Sequence, residues 1–138
     1  MRRLFMYIFI CTTSVFLSCL GLTTNNPDKA FEYWTDIPLP NTEVQLIHGK
    51  YWKSGHFTLE YEAMFKMIAS KEWVDELIEF NHLKPYSGKF SPFNTDNMPE
   101  WFIPPVGYKV YSDTEKYPHF YLWTRSEGDT IYIYNYQI

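Results

Sequence analysis

Ser54 and His56 stand two residues apart, the residue types from which a nucleophile and its base are built, and His56, Glu60 and Glu62 alternate onto one side of an extended segment. Neither arrangement carries chemistry further. A serine nucleophile needs a base in hydrogen-bond reach and a group that orients that base, whereas Ser54-Gly55 lacks a glycine-rich elbow and reads as the turn of a hairpin. Same-face neighbours on a strand repeat every ~6.6 to 6.8 Å, so a metal at His56, Glu60 and Glu62 would need ligands from elsewhere. His48, His56, His82 and His119 are scattered without the His-x-x-x-His or His-Glu pairing of a metalloprotease, and none of the 6 glycines builds a phosphate loop. The sequence therefore points to no catalytic residue, no metal ligand, no cofactor and no enzyme.

A different chemistry is written at the N-terminus. Arg2 and Arg3 precede an uncharged apolar run, Leu4 to Leu17, that closes in Leu17-Ser18-Cys19. A positive start, an apolar stretch and a small residue at the cut make a secretory signal peptide, residues 1–18, which lies outside the fold. Ser18-Cys19 resembles the end of the lipobox of bacterial lipoproteins, with Phe16 where that pattern prefers leucine. The resemblance implies that Cys19 carries palmitate-type acyl chains as the mature N-terminus. At about 0.8 kcal/mol per buried methylene, one chain is a marginal anchor and two or more a stable one. The other readings are a secreted chain cut nearby and an uncleaved anchor, because Leu4 to Leu22 nearly suffices to span a bilayer. All three place the domain outside the cytoplasm.

Loss of the leader leaves one domain of ordinary size, 138 − 18 = 120 residues. Cys11 and Cys19 are the two cysteines, so residues beyond Cys19 contain no disulfide framework, although an exported chain could form one. Removing Arg2 and Arg3 moves the formal charge from −4 to −6 (−4 − 2 = −6), which argues against nucleic acid and against electrostatic adhesion to anionic lipid. Aromatic residues make up 20% of the chain, enough either to anchor a partner or to build a core.

Residues 19–27 read as the lipidated N-terminus and a flexible polar spacer, and 28–138 as a single α+β domain. A short helix after Asp28, with Phe31, Tyr33 and Trp34 turned inward, lids one end of the core. Thr42 to Trp52 is a strand. From His56 onward Phe57, Leu59, Tyr61, Ala63, Phe65 and Met67 fall on one face, and Thr58, Glu60, Glu62, Met64 and Lys66 on the other. Ser70 caps a helix running to about Asn81, whose Trp73, Val74, Leu77 and Ile78 should meet Phe57, Leu59, Tyr61 and Phe65. Its acids Glu72, Asp75, Glu76 and Glu79 form the solvated side. Strands at Val106 to Ser112, Phe120 to Arg125 and Thr130 to Ile138 complete an antiparallel sheet in the order ββαβββ, with the main helix on one face.

Between helix and last strands, Lys84 to Pro105 has five prolines, no period and the rings Tyr86, Phe90, Phe93, Trp101 and Phe102. Unstructured loops of this length are uncommon unless functional. In the last strand Ile131 and Ile133 suit the helix-covered face, which leaves Tyr132, Tyr134 and Tyr136 in a row on the other. An uncovered row would be an apolar patch, so the loop is expected to lie over it. The eight rings Tyr86, Phe90, Phe93, Trp101, Phe102, Tyr132, Tyr134 and Tyr136 form the candidate binding surface.

The layout Phe31-x-x-Trp34-x-x-Ile37-x-Leu39-Pro40, a hairpin, a helix, Trp101-Phe102-x-Pro104 and a terminal aromatic strand resembles small uncharacterised bacterial lipoproteins. Size, acidity and export also resemble immunity proteins that neutralise periplasmic toxins. These resemblances imply a lipid-anchored, non-enzymatic binding module of the bacterial cell envelope, in the outer membrane, on its periplasmic face or at the cell surface, with a protein partner. The alternatives are an immunity protein or inhibitor of a periplasmic toxin or hydrolase, a glycan-binding accessory, and an envelope hydrolase.

Overall fold

The computed structural model describes residues 21–36, 39, 43–55, 60–125 and 130–138. The segment expected as a leader, with Cys19, and the positions Ile37, His56, Phe57, Thr58 and Leu59, lie outside the described residues. The rest is a single α+β domain, as expected, built on one antiparallel sheet of seven strands. In chain order these are β1 (Leu22–Thr24), β2 (Val44–Lys53), β3 (Tyr61–Ala69), β4 (Lys84–Pro85), β5 (Lys109–Ser112), β6 (Phe120–Thr124) and β7 (Thr130–Gln137). Two helices accompany them, α1 (Pro27–Thr35) and α2 (Lys71–Phe80). The spatial order is β1-β2-β3-β7-β6-β5-β4, so the ββαβββ frame gains two short strands as its edge strands. Leu22–Thr24, expected as part of a spacer, instead pairs with Lys53, Trp52 and Tyr51, which satisfies backbone groups that a spacer would leave to water. No helix among the described residues is long and apolar enough to cross a membrane.

Alternation along β3 sorts two cores. Tyr61, Ala63, Phe65, Met67 and Ala69 face one side, joined by Ile131 and Ile133 of β7 and by Phe120 and Leu122 of β6. The other set is Glu62, Met64 and Lys66, of which Glu62 and Met64 are 1% exposed, because the 86–102 loop covers that face. In β2 the register shifts between Leu46 and His48. The extra residue, Ile47, changes which side chains point which way, placing Val44 and Leu46, then Gly49 and Tyr51, on the first face. His48, Lys50 and Trp52 are thereby turned toward the loop.

The helices share the first face in proportions opposite to those the sequence suggested. Helix α1 seats Ala30 and Phe31 in full burial, with the Phe31 ring edge-on to Phe65 at 5.9 Å and to Trp34 at 5.8 Å. Helix α2 buries Val74 alone, while Trp73, Leu77 and Ile78 pack half-buried against the same core. Close approach of α1 is possible because Gly49 has no side chain: a Cβ there would lie 2.9 Å from Pro27 Cα and 3.1 Å from the Phe65 ring. Gly49→Ala is therefore expected to lower stability by about 1–3 kcal/mol in denaturant melts, since backbone and an interior ring must both give way. A variant as stable as the parent would show that α1 is loosely held.

Both helix starts are capped, by the Asn26 side chain accepting from Lys29 N–H at 3.0 Å and by Ser70 Oγ accepting from Trp73 N–H at 3.2 Å. At its far end α2 stops without glycine. His82 takes the left-handed conformation (φ 54°), its N–H donates to Glu79 C=O, and Leu83 N–H reaches back to Ile78 C=O at 2.9 Å while the Leu83 side chain enters the core. This is the Schellman arrangement, and it gives His82 a structural reason to stand where it does.

Candidate functional site

The loop between β4 and β5 does lie over the tyrosine row. Phe90 meets Tyr134 edge-on at 5.1 Å and Trp123 at 4.9 Å, and Phe102 meets Tyr132 at 5.8 Å and Trp123 at 5.7 Å. Edge-to-face contacts at these spacings add to what burial alone contributes. Tyr134 is wholly buried, and Tyr132 and Phe102 are 4% exposed, so these three are core and offer nothing to a partner. Tyr86 and Phe90 are half-buried, both packed edge-on to Tyr121. Trp101, likewise half-buried, is stacked on the exposed His48 at 5.1 Å, and Phe93, stacked on Tyr136 at 5.6 Å, is the more open at 41% exposed. The eight candidate rings are thus gathered on one face, and most of their surface is spent on each other.

A polar seam fixes this loop to the sheet. Tyr134 Oη donates to Glu62 Oε1 at 2.6 Å and accepts from Phe93 N–H at 2.6 Å. Asn97 Nδ2 donates to Glu62 Oε2 at 2.6 Å, and Lys50 Nζ donates to Asn97 Oδ1 at 2.6 Å and to its carbonyl at 2.7 Å. Each carboxylate oxygen has its donor, which is the condition for a buried acid to persist. Burial above all, then the bond to Glu62 and that acid's charge, push the Tyr134 hydroxyl far above the usual phenol range. This group of Glu, Tyr, Lys and Asn clamps Asn94–Met98, where Thr95–Asn97 form a 3₁₀ turn, and its carboxylate is closed to a substrate. Lys50 and Asn97 were invisible to sequence reasoning, because nothing about an isolated lysine or asparagine announces a buried acid 35 positions from that asparagine.

Past this clamp the loop comes to an apolar tip. Ile103 is 70% exposed and Val106 100% exposed, on either side of Pro104-Pro105. The two prolines fix φ at adjacent positions, and Phe102 roots the segment in the core, so the tip is stiff as well as apolar. Sequence reading missed Ile103 and Val106 because it weighed rings; the signal that marks them is a pair of prolines between aliphatic residues.

On the opposite face a cleft of about 620 Å³ runs between α1 and α2, lined by Trp34, Tyr61, Leu77, Phe80, Phe120 and Asn135 among others. Trp34 Nε1 and Tyr61 Oη both donate to Asn135 Oδ1, at 2.9 and 2.7 Å, and Asn135 Nδ2 donates to His119 C=O at 3.0 Å. Its polar lining is therefore engaged internally. Asp113, at one margin, accepts through Oδ1 from the N–H groups of Thr114, His119 and Phe120, which closes the β5–β6 turn. Phe80 stands at the mouth, 85% exposed.

Ser54 is buried, and its N–H donates to Glu60 C=O at 2.9 Å, as a chain reversal requires. Its supposed base, His56, lies outside the described residues, as does Cys19. Among the described residues no three of His, Cys, Asp and Glu gather as metal ligands. Comparison with protein-family models, with curated proteins and with solved structures found no match.

Proposed function

We propose that the chain is a non-enzymatic binding protein, held on the bacterial cell envelope by lipid at Cys19, that engages a protein partner through the Ile103–Val106 tip. The observation that carries this reading is the combination of a fully exposed Val106 and a 70% exposed Ile103 on a proline-stiffened segment rooted by a buried ring. Ordering a loop opposes binding, and a loop ordered beforehand avoids that loss. A projecting apolar wedge fits a groove in its partner. That geometry also favours, as a second reading, an immunity protein or inhibitor that plugs the cleft of a toxin or hydrolase. The glycan-binding alternative has less support, since its rings would have to present open faces and most here are turned into each other.

The test is capture from intact envelopes with the parent and with a chain carrying Ile103→Ser and Val106→Ser. Both positions are exposed, so stability should stay within about 0.5 kcal/mol while a partner held by the parent is lost. Equal retention by both would remove the tip from the interface. In parallel, Cys19→Ser should abolish acylation and release the protein from membranes, read by mass spectrometry of the mature N-terminus. An unmodified N-terminus starting elsewhere in the parent would refute the anchor.

A further inference from the structure

The anchor and the fold together determine which side of the molecule meets the membrane. Leu22 opens β1 opposite Lys53, Lys53 pairs with Tyr61, and Tyr61 pairs with Gln137, so one border of the sheet, at the strand ends, collects the start of β1 and the end of β7. Between Cys19 and Leu22 lie only Leu20 and Gly21. Fully extended, that stretch spans at most about 11 Å. A domain of this size is roughly 30–35 Å across. So short a tether leaves the Leu22 border near the bilayer and keeps the far border away from it.

That same border carries large apolar side chains that the fold leaves uncovered. Ile138, following Gln137, is 69% exposed; Tyr117, in the β5–β6 turn, is 70% exposed; Phe80, at the cleft mouth beside Tyr61 and Asn135, is 85% exposed. Lys116 lies over the Tyr117 ring at 5.4 Å, an aromatic–cation pairing suited to the headgroup region. Bulk electrostatics does not favour lipid, given the net negative charge, so contact must come from burying these apolar groups.

We propose that the sheet border formed by Leu22, Lys53, Tyr61 and Gln137 rests on the lipid bilayer, with Phe80, Tyr117 and Ile138 seated in its interface. The proposal rests on the anchor in the reading above. It places the Ile103–Val106 tip toward the other border, where Lys109 pairs with Thr124. With nine residues in β3, the two borders stand about 30 Å apart.

The mature chain, coupled through Cys19 to a maleimide-bearing lipid in nanodiscs with gadolinium-chelating headgroups, tests it by amide NMR. Signals of Leu22, Lys53, Phe80, Tyr117 and Ile138 should be lost, and those of Ser70, Val106 and Lys109 kept. Even, weak broadening over the whole domain, or loss centred on Val106, overturns the orientation. A second chain carries Phe80→Ser, Tyr117→Ser and Ile138→Ser, all three at exposed positions. In this chain the localised losses should fade; if they persist unchanged, the three side chains do not seat in lipid. Because the lipid is attached chemically, this result is independent of whether cells acylate Cys19, which the mass of the native N-terminus decides.

Discussion

Phe102→Ala is expected to destabilise the protein by about 3–5 kcal/mol, the range for deleting a buried phenyl ring. The ring is 4% exposed and lies within 5.7 to 6.2 Å of Trp123, Tyr132 and Tyr134, so its loss leaves a cavity bounded by large rigid groups that cannot collapse into it. It also roots the segment that begins with Ile103. Chemical denaturation should show the fall in midpoint, and hydrogen exchange should show faster opening of residues 90–106 than of β3. A loss below about 1 kcal/mol would mean that the loop rests on the sheet without contributing to its core.

The second large effect is alkaline unfolding. Tyr134 is held far above the ordinary phenol value by burial and by Glu62, and burial pushes Tyr121 up to about 12. In the unfolded chain both phenols ionise near 10. Above that pH the unfolded state gives up protons that the folded state retains, so the slope of stability against pH is negative. The contribution is complete below pH 10 and is lost as pH rises from 10 toward 12 for Tyr121 and beyond for Tyr134. Each phenol removes about 1.4 kcal/mol per pH unit inside its window. Urea melts at successive pH values, with phenolate absorbance followed alongside, should show both signals moving together. Tyr134→Phe should flatten the curve, at a loss near neutrality of about 1–3 kcal/mol because Glu62 Oε1 and the Phe93 N–H each lose a partner. Stability unchanged well above pH 10 would show that these phenols reach solvent.

Much of this architecture was legible because period-two alternation and helix caps are local signals. Tyr61 to Met67, Ile131 with Ile133, and Ser70 before Trp73 could each be read within a dozen residues. What escaped was long-range. The bulge at Ile47 is set by β3 across the ladder, and nothing in Leu46-Ile47-His48 distinguishes it from plain strand. The reach of α1 onto the sheet depends on Gly49 meeting Pro27, two positions that acquire meaning only together. Alternation put Glu62 on the side of β3 away from Tyr61 and Phe65, but nothing local announced what would meet its carboxylate. Its burial follows from a loop that places Asn97 over it. For the candidate site, the expected covering of the tyrosine row held in the structure. The identity of what stays open did not, since ring-rich composition draws attention to residues that packing then hides.

The two edge strands of the sheet bear on how copies of the chain can meet. Strand β1 has three residues and β4 has two, one of them Pro85, which has no N–H to offer. On its outer side β2 is paired with β1 only at Tyr51–Lys53, and the register shift between Leu46 and His48 interrupts the stretch that β1 leaves open, while β5 is flanked by β4, so a neighbouring chain meets no long regular edge against which to extend. For molecules anchored as proposed above, repeated encounters in two dimensions would let an open, regular edge strand recruit its own kind into growing β-assemblies. Two short edge strands and an interrupted β2 disfavour such growth and would keep neighbouring molecules separate.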